Sequence, residues 1–161
     1  MKHIVLFAVA LFGLLIVSSP SFAKGFYATP RAGIFLPVDG GDEAYAVGVT
    51  GGYGWNMYFA TEITYEHIFG TDAAPDGDLV EGVGIGRYPM EWITPHLSAG
   101  IGYLHTDYEI LADSNDTFFL FGAGASLKPL GPIALGLGVN YRAVINNPDY
   151  VEPYVSVGIV F

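Results

Sequence analysis

The sequence predicts an all-β chain, an eight-stranded antiparallel transmembrane up-and-down β-barrel. Three observations lead there. Apolar residues alternate with small or polar ones in stretch after stretch, at the period of a strand whose successive side chains point to opposite faces. Eleven Tyr, eleven Phe and 22 Gly stand in 161 residues that hold only six Lys and Arg. Such a composition suits lipid-facing strands with aromatic girdles. Beyond residue 23 helical periodicity is weak, and no apolar run approaches the length of a spanning helix.

The first 23 residues stand apart. Lys2 and His3 precede an unbroken apolar run over 4–17, and Ser21-Phe22-Ala23 supplies a small-x-small cleavage site. The pattern predicts a secretory signal peptide over 1–23 and a single barrel domain over 24–161.

Strands are expected over 25–36, 44–53, 58–68, 79–88, 95–106, 117–127, 133–143 and 150–161. In the first, Phe26, Ala28, Ala32 and Ile34 oppose Tyr27, Thr29, Arg31 and Gly33. The second carries Gly48 on its inward side. In the third, Phe59, Thr61, Ile63 and Tyr65 oppose Ala60, Glu62, Thr64 and Glu66. The fourth and fifth hold Gly82, Gly84, Gly100 and Gly102, all expected inward, where they make room for larger side chains. In the sixth, Phe119, Phe121, Ala123, Ala125 and Leu127 share one face; in the seventh, Ile133, Leu135, Leu137, Val139 and Tyr141 do. The eighth places Val151, Pro153, Val155, Val157, Ile159 and Phe161 opposite Glu152, Tyr154, Ser156 and Gly158. It is expected to close on the first strand, which removes the sticky edge of an apolar strand.

Orientation follows from the charges. The face opposite the large apolar residues carries Gly, Ala, Ser, Thr and several ionised groups, which make no dry core. On lipid, an Arg at mid-membrane costs roughly 2–4 kcal/mol. The apolar face therefore points outward, and Arg31 and Arg142 are expected to pair in the lumen with Glu62, Glu66 and Glu152. Eight strands leave an interior that side chains fill, so a solute-sized pore is not expected.

The connections alternate too. Residues 54–57, 89–94 and 128–132 are short, whereas 37–43, 70–78, 107–116 and 144–149 are longer or more acidic. Short periplasmic turns and longer extracellular loops are the rule for such barrels, with both termini periplasmic. Loss of Lys2 leaves five Lys and Arg against sixteen Asp and Glu, a net charge of about −11. That acidity excludes nucleic acid as a partner. The absence of Cys excludes disulfides, thiolate metal sites and Cys nucleophiles.

Five stretches carry a likeness to a known family: Pro30-Arg31-Ala32-Gly33-Ile34-Phe35, Gly51-Gly52-Tyr53-Gly54, Thr61-Glu62-Ile63-Thr64-Tyr65-Glu66, Pro95–Tyr103 and Val157-Gly158-Ile159-Val160-Phe161. On these the chain resembles the small eight-stranded bacterial outer-membrane β-barrels, the opacity proteins and outer-membrane protein A-type barrel domains. The resemblance implies the outer membrane of a Gram-negative bacterium. It implies no single activity, since such barrels serve as adhesins, envelope stabilisers, small pores and occasionally enzymes. His96-x-Ser98 resembles the His-x-Ser pair of lipid A deacylases, but the Asn that follows the Ser there is Ala99 here. By parity both side chains face the lumen at the periplasmic end, away from outer-leaflet lipid, so they are read as structural.

His67 and His105 are expected beside an aromatic girdle. Asp72, Asp76, Asp78, Asp113 and Asp116 are candidate contacts for divalent cations and lipopolysaccharide, although solubility of the loop tips accounts for them as well. The sequence assigns no metal-ligand set, no cofactor and no catalytic residue. The reading is a monomeric, non-enzymatic outer-membrane barrel with a structural or surface-contact role. A narrow ion or small-solute channel is the alternative, and a lipid A deacylase-like enzyme stands behind it.

Overall fold

The computed structural model describes residues 25–71, 76–107, 114–127, 133–145 and 148–159. Eight strands follow in order: β1 Gly25–Pro37, β2 Ala44–Gly54, β3 Phe59–Phe69, β4 Asp76–Arg87, β5 Ile93–Asp107, β6 Ser114–Leu127, β7 Ile133–Val144 and β8 Tyr150–Ile159. Each pairs antiparallel with its sequence neighbours, and β1 pairs with β8, so the sheet closes as an up-and-down barrel. The strands run from 10 residues in β8 to 15 in β5. That is long enough for tilted strands to cross a bilayer core. Among the described residues no helix is long and apolar enough to cross a membrane.

The large apolar side chains lie outside. Leu97 is 69% exposed and Ile63 66%, and Ile101, Phe121, Leu137, Val155 and Val157 are exposed with them. Those fractions suit lipid, not water. The side chain of Ile159 and all of Phe161 lie outside the described residues, as does the leader expected over 1–23.

Three short connections, 55–58, 88–92 and 128–132, define one end of the barrel, here the turn end. The other four, 38–43, 70–75, 108–113 and 145–149, define the loop end. In the first turn Asn56 Oδ1 accepts from the backbone N–H groups of Tyr58 and Phe59, both at 2.8 Å. At the loop end Gly40, at φ 86°, takes a left-handed bend that a side chain would resist. None of the four loops exceeds six residues. They are shorter than expected because β4, β5 and β6 extend further, and Asp76, Asp78, Asp107 and Asp116 belong to strands.

The lumen is where the sequence-based expectation is corrected. Inward residues near the loop end are not small and polar. Phe35, Leu79, Leu104, Phe118 and Leu120 are buried there with Ile68 and Val144 in one apolar core. Gly82 and Gly84 also break the expectation, since they face outward; the inward face of β4 is Leu79, Glu81, Val83, Ile85 and Arg87. The register decides this. Val83 lies between Glu62 of β3 and Gly100 of β5, both inward. Phe59, on the outer wall, instead lays its ring 3.8 Å from where a Cβ on Gly84 would stand.

Candidate functional site

Below the apolar plug lies a layer of ions. Arg31 comes from β1, Glu66 from β3, Glu81 from β4, Arg142 from β7 and Glu152 from β8. Arg142 reaches Glu66 Oε2 at 3.1 Å, Glu81 Oε2 at 2.9 Å and Glu152 Oε2 at 2.8 Å. Arg31 reaches Glu152 Oε2 at 2.6 Å and Glu81 Oε1 at 3.4 Å, and its Nε lies 2.7 Å from Glu66 Oε1 at a bent angle. Asn140 donates to Glu152 Oε2 at 3.1 Å. All three carboxylates are buried. Arg142 stacks on Phe35 at 4.7 Å and on Phe118 at 5.6 Å, which joins the ions to the plug.

Backbone space makes this layer possible. A Cβ at Gly48 would run into Glu66, and one at Gly33 into Glu152. Glycine thus lets carboxylate stems lie flat against the wall. The same device serves Tyr27 over Gly52 and Tyr154 over Gly138, as the inward glycines of the sequence suggested.

A second cluster occupies the turn end. Arg87 Nη2 donates to the Tyr27 hydroxyl at 2.5 Å, and that hydroxyl donates to Glu62 Oε1. The Arg87–Glu62 pair itself is stretched to 4.0 Å. His96 Nε2 lies 3.2 Å from the Tyr154 hydroxyl, and Arg31 stacks on the Tyr154 ring at 4.2 Å. These groups line a cavity of about 110 Å³. Thr94, Ser126 and Ser156 add hydroxyls to its wall.

The predicted site residues therefore divide. Arg31, Arg142, Glu66 and Glu152 come together in the ion layer. Glu62 does not join them; it belongs with Tyr27 and Arg87. Glu81 and Arg87 were missed, although the inward parity of β4 would have found both. His96 faces the lumen, and its hydroxyl partner is Tyr154. Ser98 faces the lumen beside Gly122 and Asn140, one layer deeper.

At the loop end Asp78 lies on the outer wall. It accepts from the Tyr65 hydroxyl at 2.6 Å, and its Oδ1 lies 3.0 Å from His67 Nδ1. In the next pair of strands Tyr103 and His105 meet Asn115 Oδ1 at 2.6 and 2.8 Å. Both histidines thus sit among outward tyrosines. Asp76 accepts from the Gly70 N–H at 2.7 Å, and Asp116 accepts from Ser114 at 2.6 Å. Asp72 and Asp113 lie outside the described residues. No three His, Asp or Glu among the described residues are grouped to hold a metal.

No protein-family model and no curated protein sequence matches this chain. Solved structures do. The N-terminal β-barrel domain of Pseudomonas aeruginosa OprF is 13% identical with a TM-score of 0.67, over 84% of this chain and 97% of that one. Neisserial surface protein A (NspA) is 18% identical with a TM-score of 0.65, over 86% and 98%. Ail, the attachment invasion locus protein of Yersinia pestis, is 10% identical with a TM-score of 0.62, over 85% and 98%. At these identities the likeness is one of fold: the chain has the fold of the small eight-stranded outer-membrane β-barrels.

Proposed function

From that fold we propose that the chain is a Gram-negative outer-membrane barrel, non-enzymatic, that acts through its loop end in envelope integrity or surface contact. The observation that carries this is the filled lumen. Among the described residues a buried ion layer capped by Phe35, Leu79, Leu104, Phe118 and Leu120 interrupts any polar path from end to end. Only the two ends are then free to meet anything.

The turn end and both termini face the periplasm, and the loop end faces out. Charge supports this assignment. Residues 38–43, 70–75, 108–113 and 145–149 hold acids but no Lys or Arg. Lys24 and Lys128 fall beside the turn end in sequence, and the three arginines of the barrel point inward. An acidic outer rim repels lipopolysaccharide phosphates unless divalent cations bridge the two, so lipopolysaccharide and such cations are the proposed partners. The barrel functions as a monomer. His96 and Ser98 stay structural, because neither faces lipid, and His96 lies against the Tyr154 hydroxyl while Ser98 sits beside Gly122, near Asn140.

Planar-bilayer recording with the purified barrel tests this reading. No conductance steps above the lipid background are expected, whereas reproducible single-channel steps would favour the channel alternative. Lipid A incubated with the barrel should keep every acyl chain by mass analysis, and a chain lost with the parent but kept with Ser98→Ala would make it an esterase.

A further inference from the structure

The cavity at the turn end has no task in a protein that works through its loop end, yet its polar groups are under-used. Arg87 carries five N–H donors on a side chain only 10% exposed. Among the described residues its guanidinium makes one hydrogen bond, to the Tyr27 hydroxyl, with Glu62 held off at 4.0 Å. Thr94 is 1% exposed, and its hydroxyl has no hydrogen-bond partner among the described residues. Both side chains line the cavity. Register brings them together: Arg87 faces His96 across β4 and β5, and Thr94, two residues before His96, faces Ser126 across β5 and β6.

A buried hydroxyl without a partner is costly, and the Arg87 guanidinium beside it has donors to spare, so this corner calls for oxygen atoms. We propose that the cavity is a binding site for one small oxyanion, a carboxylate or phosphate group, held on the open edge of Arg87 with the hydroxyls of Thr94 and Ser126. The planar guanidinium fork matches either anion. Glu62 does not pre-empt it, because the Tyr27 hydroxyl stands between the two and occupies the near carboxylate oxygen. A volume of about 110 Å³ holds several waters. It therefore suits a group the size of acetate or phosphate and not a sugar ring or a nucleotide. With the plug above, the ligand enters and leaves by the turn end. The lumen holds Arg31, Arg87 and Arg142 against Glu62, Glu66, Glu81 and Glu152. That surplus negative charge keeps the binding weak and exchangeable.

Isotope-labelled barrel in lipid nanodiscs tests this by NMR, titrated with sodium acetate and with sodium phosphate while sodium chloride holds the ionic strength constant. The amides of Thr94, His96 and Ser126 should shift saturably, and Asn115 at the loop end should not. Arg87→Gln should weaken binding at least about tenfold, the loss of a charge-assisted pair. Thr94→Val, which removes no described hydrogen bond, should weaken it severalfold and serves if Arg87→Gln fails to fold. Acetyl-alanyl-alanine and its C-terminal amide distinguish the sources of the carboxylate. An acid bound more tightly than acetate makes a peptide terminus the occupant, and equal binding makes it a free small anion. No saturable shift, an unchanged affinity in both variants, or an amide bound as well as the acid would overturn the proposal.

Discussion

Arg142 holds the lumen together more than any other residue. It touches three carboxylates from three strands and stacks on two aromatic rings of the plug. Removing one partner from a buried ion network strands the rest, at about 3–5 kcal/mol. Arg142→Met should therefore lower the urea unfolding midpoint strongly. Glu81→Gln should cost far less, because three carboxylates face two guanidinium groups in this layer and one negative charge is surplus. Equal and negligible shifts of the two midpoints would mean that water solvates these charges independently. Sequence parity revealed Arg31, Glu66, Arg142 and Glu152, since each alternates with apolar outward residues. It assigned Glu62 to the wrong cluster because parity reports the face of a residue and not its level along the barrel axis. Cross-strand register sets that level: Glu66 lies opposite Gly48, and Glu62 lies four residues closer to the turn opposite Gly52.

Among the elements, β4 shows why alternation alone misleads. Its larger apolar residues Leu79, Val83 and Ile85 point inward, while Gly82, Gly84 and Gly86 lie on the outer wall. A rule that sends bulky residues to lipid inverts this strand, and the error hid Glu81 and Arg87. Two glycines one strand apart test the correction. A Cβ at Gly100 would meet the Gly82 carbonyl oxygen and, at 2.6 Å, Val83 Cγ1. Gly100→Ala should cost about 1–3 kcal/mol, as overpacking does. A Cβ at Gly82 meets nothing within 4 Å. Gly82→Ala should change stability by less than about 0.5 kcal/mol. Thermal unfolding in detergent micelles checks both, and a large loss at Gly82 would restore the inward assignment. The other strands were legible because their large apolar residues are mainly on the outward face, as in β7 with Leu135, Leu137, Val139 and Tyr141.

For the molecule as a whole, the two halves of the lumen differ in kind. The loop half is an apolar core of the sort a soluble protein has, and the turn half is a polar cavity. Composition foretold neither the plug nor the cavity, because Phe118 and Phe119 are the same residue type on opposite faces. The plug should matter more for stability than for sealing. Phe118→Ala should cost about 3–5 kcal/mol. It should still leave planar bilayers non-conducting, because the ion layer beneath remains; conductance from this variant alone would show that Phe118 is the seal.

The sided, sealed barrel is tested most directly by single cysteines introduced into this cysteine-free chain and probed on intact cells with a membrane-impermeant thiol reagent. Asn115→Cys at the loop end should label. Val157→Cys, facing lipid, should not, and Ser156→Cys in the turn-end cavity should label only after the outer membrane is breached. Labelling of Val157→Cys, or of Ser156→Cys from outside intact cells, would contradict a barrel that presents this wall to lipid and closes its lumen toward the loop end.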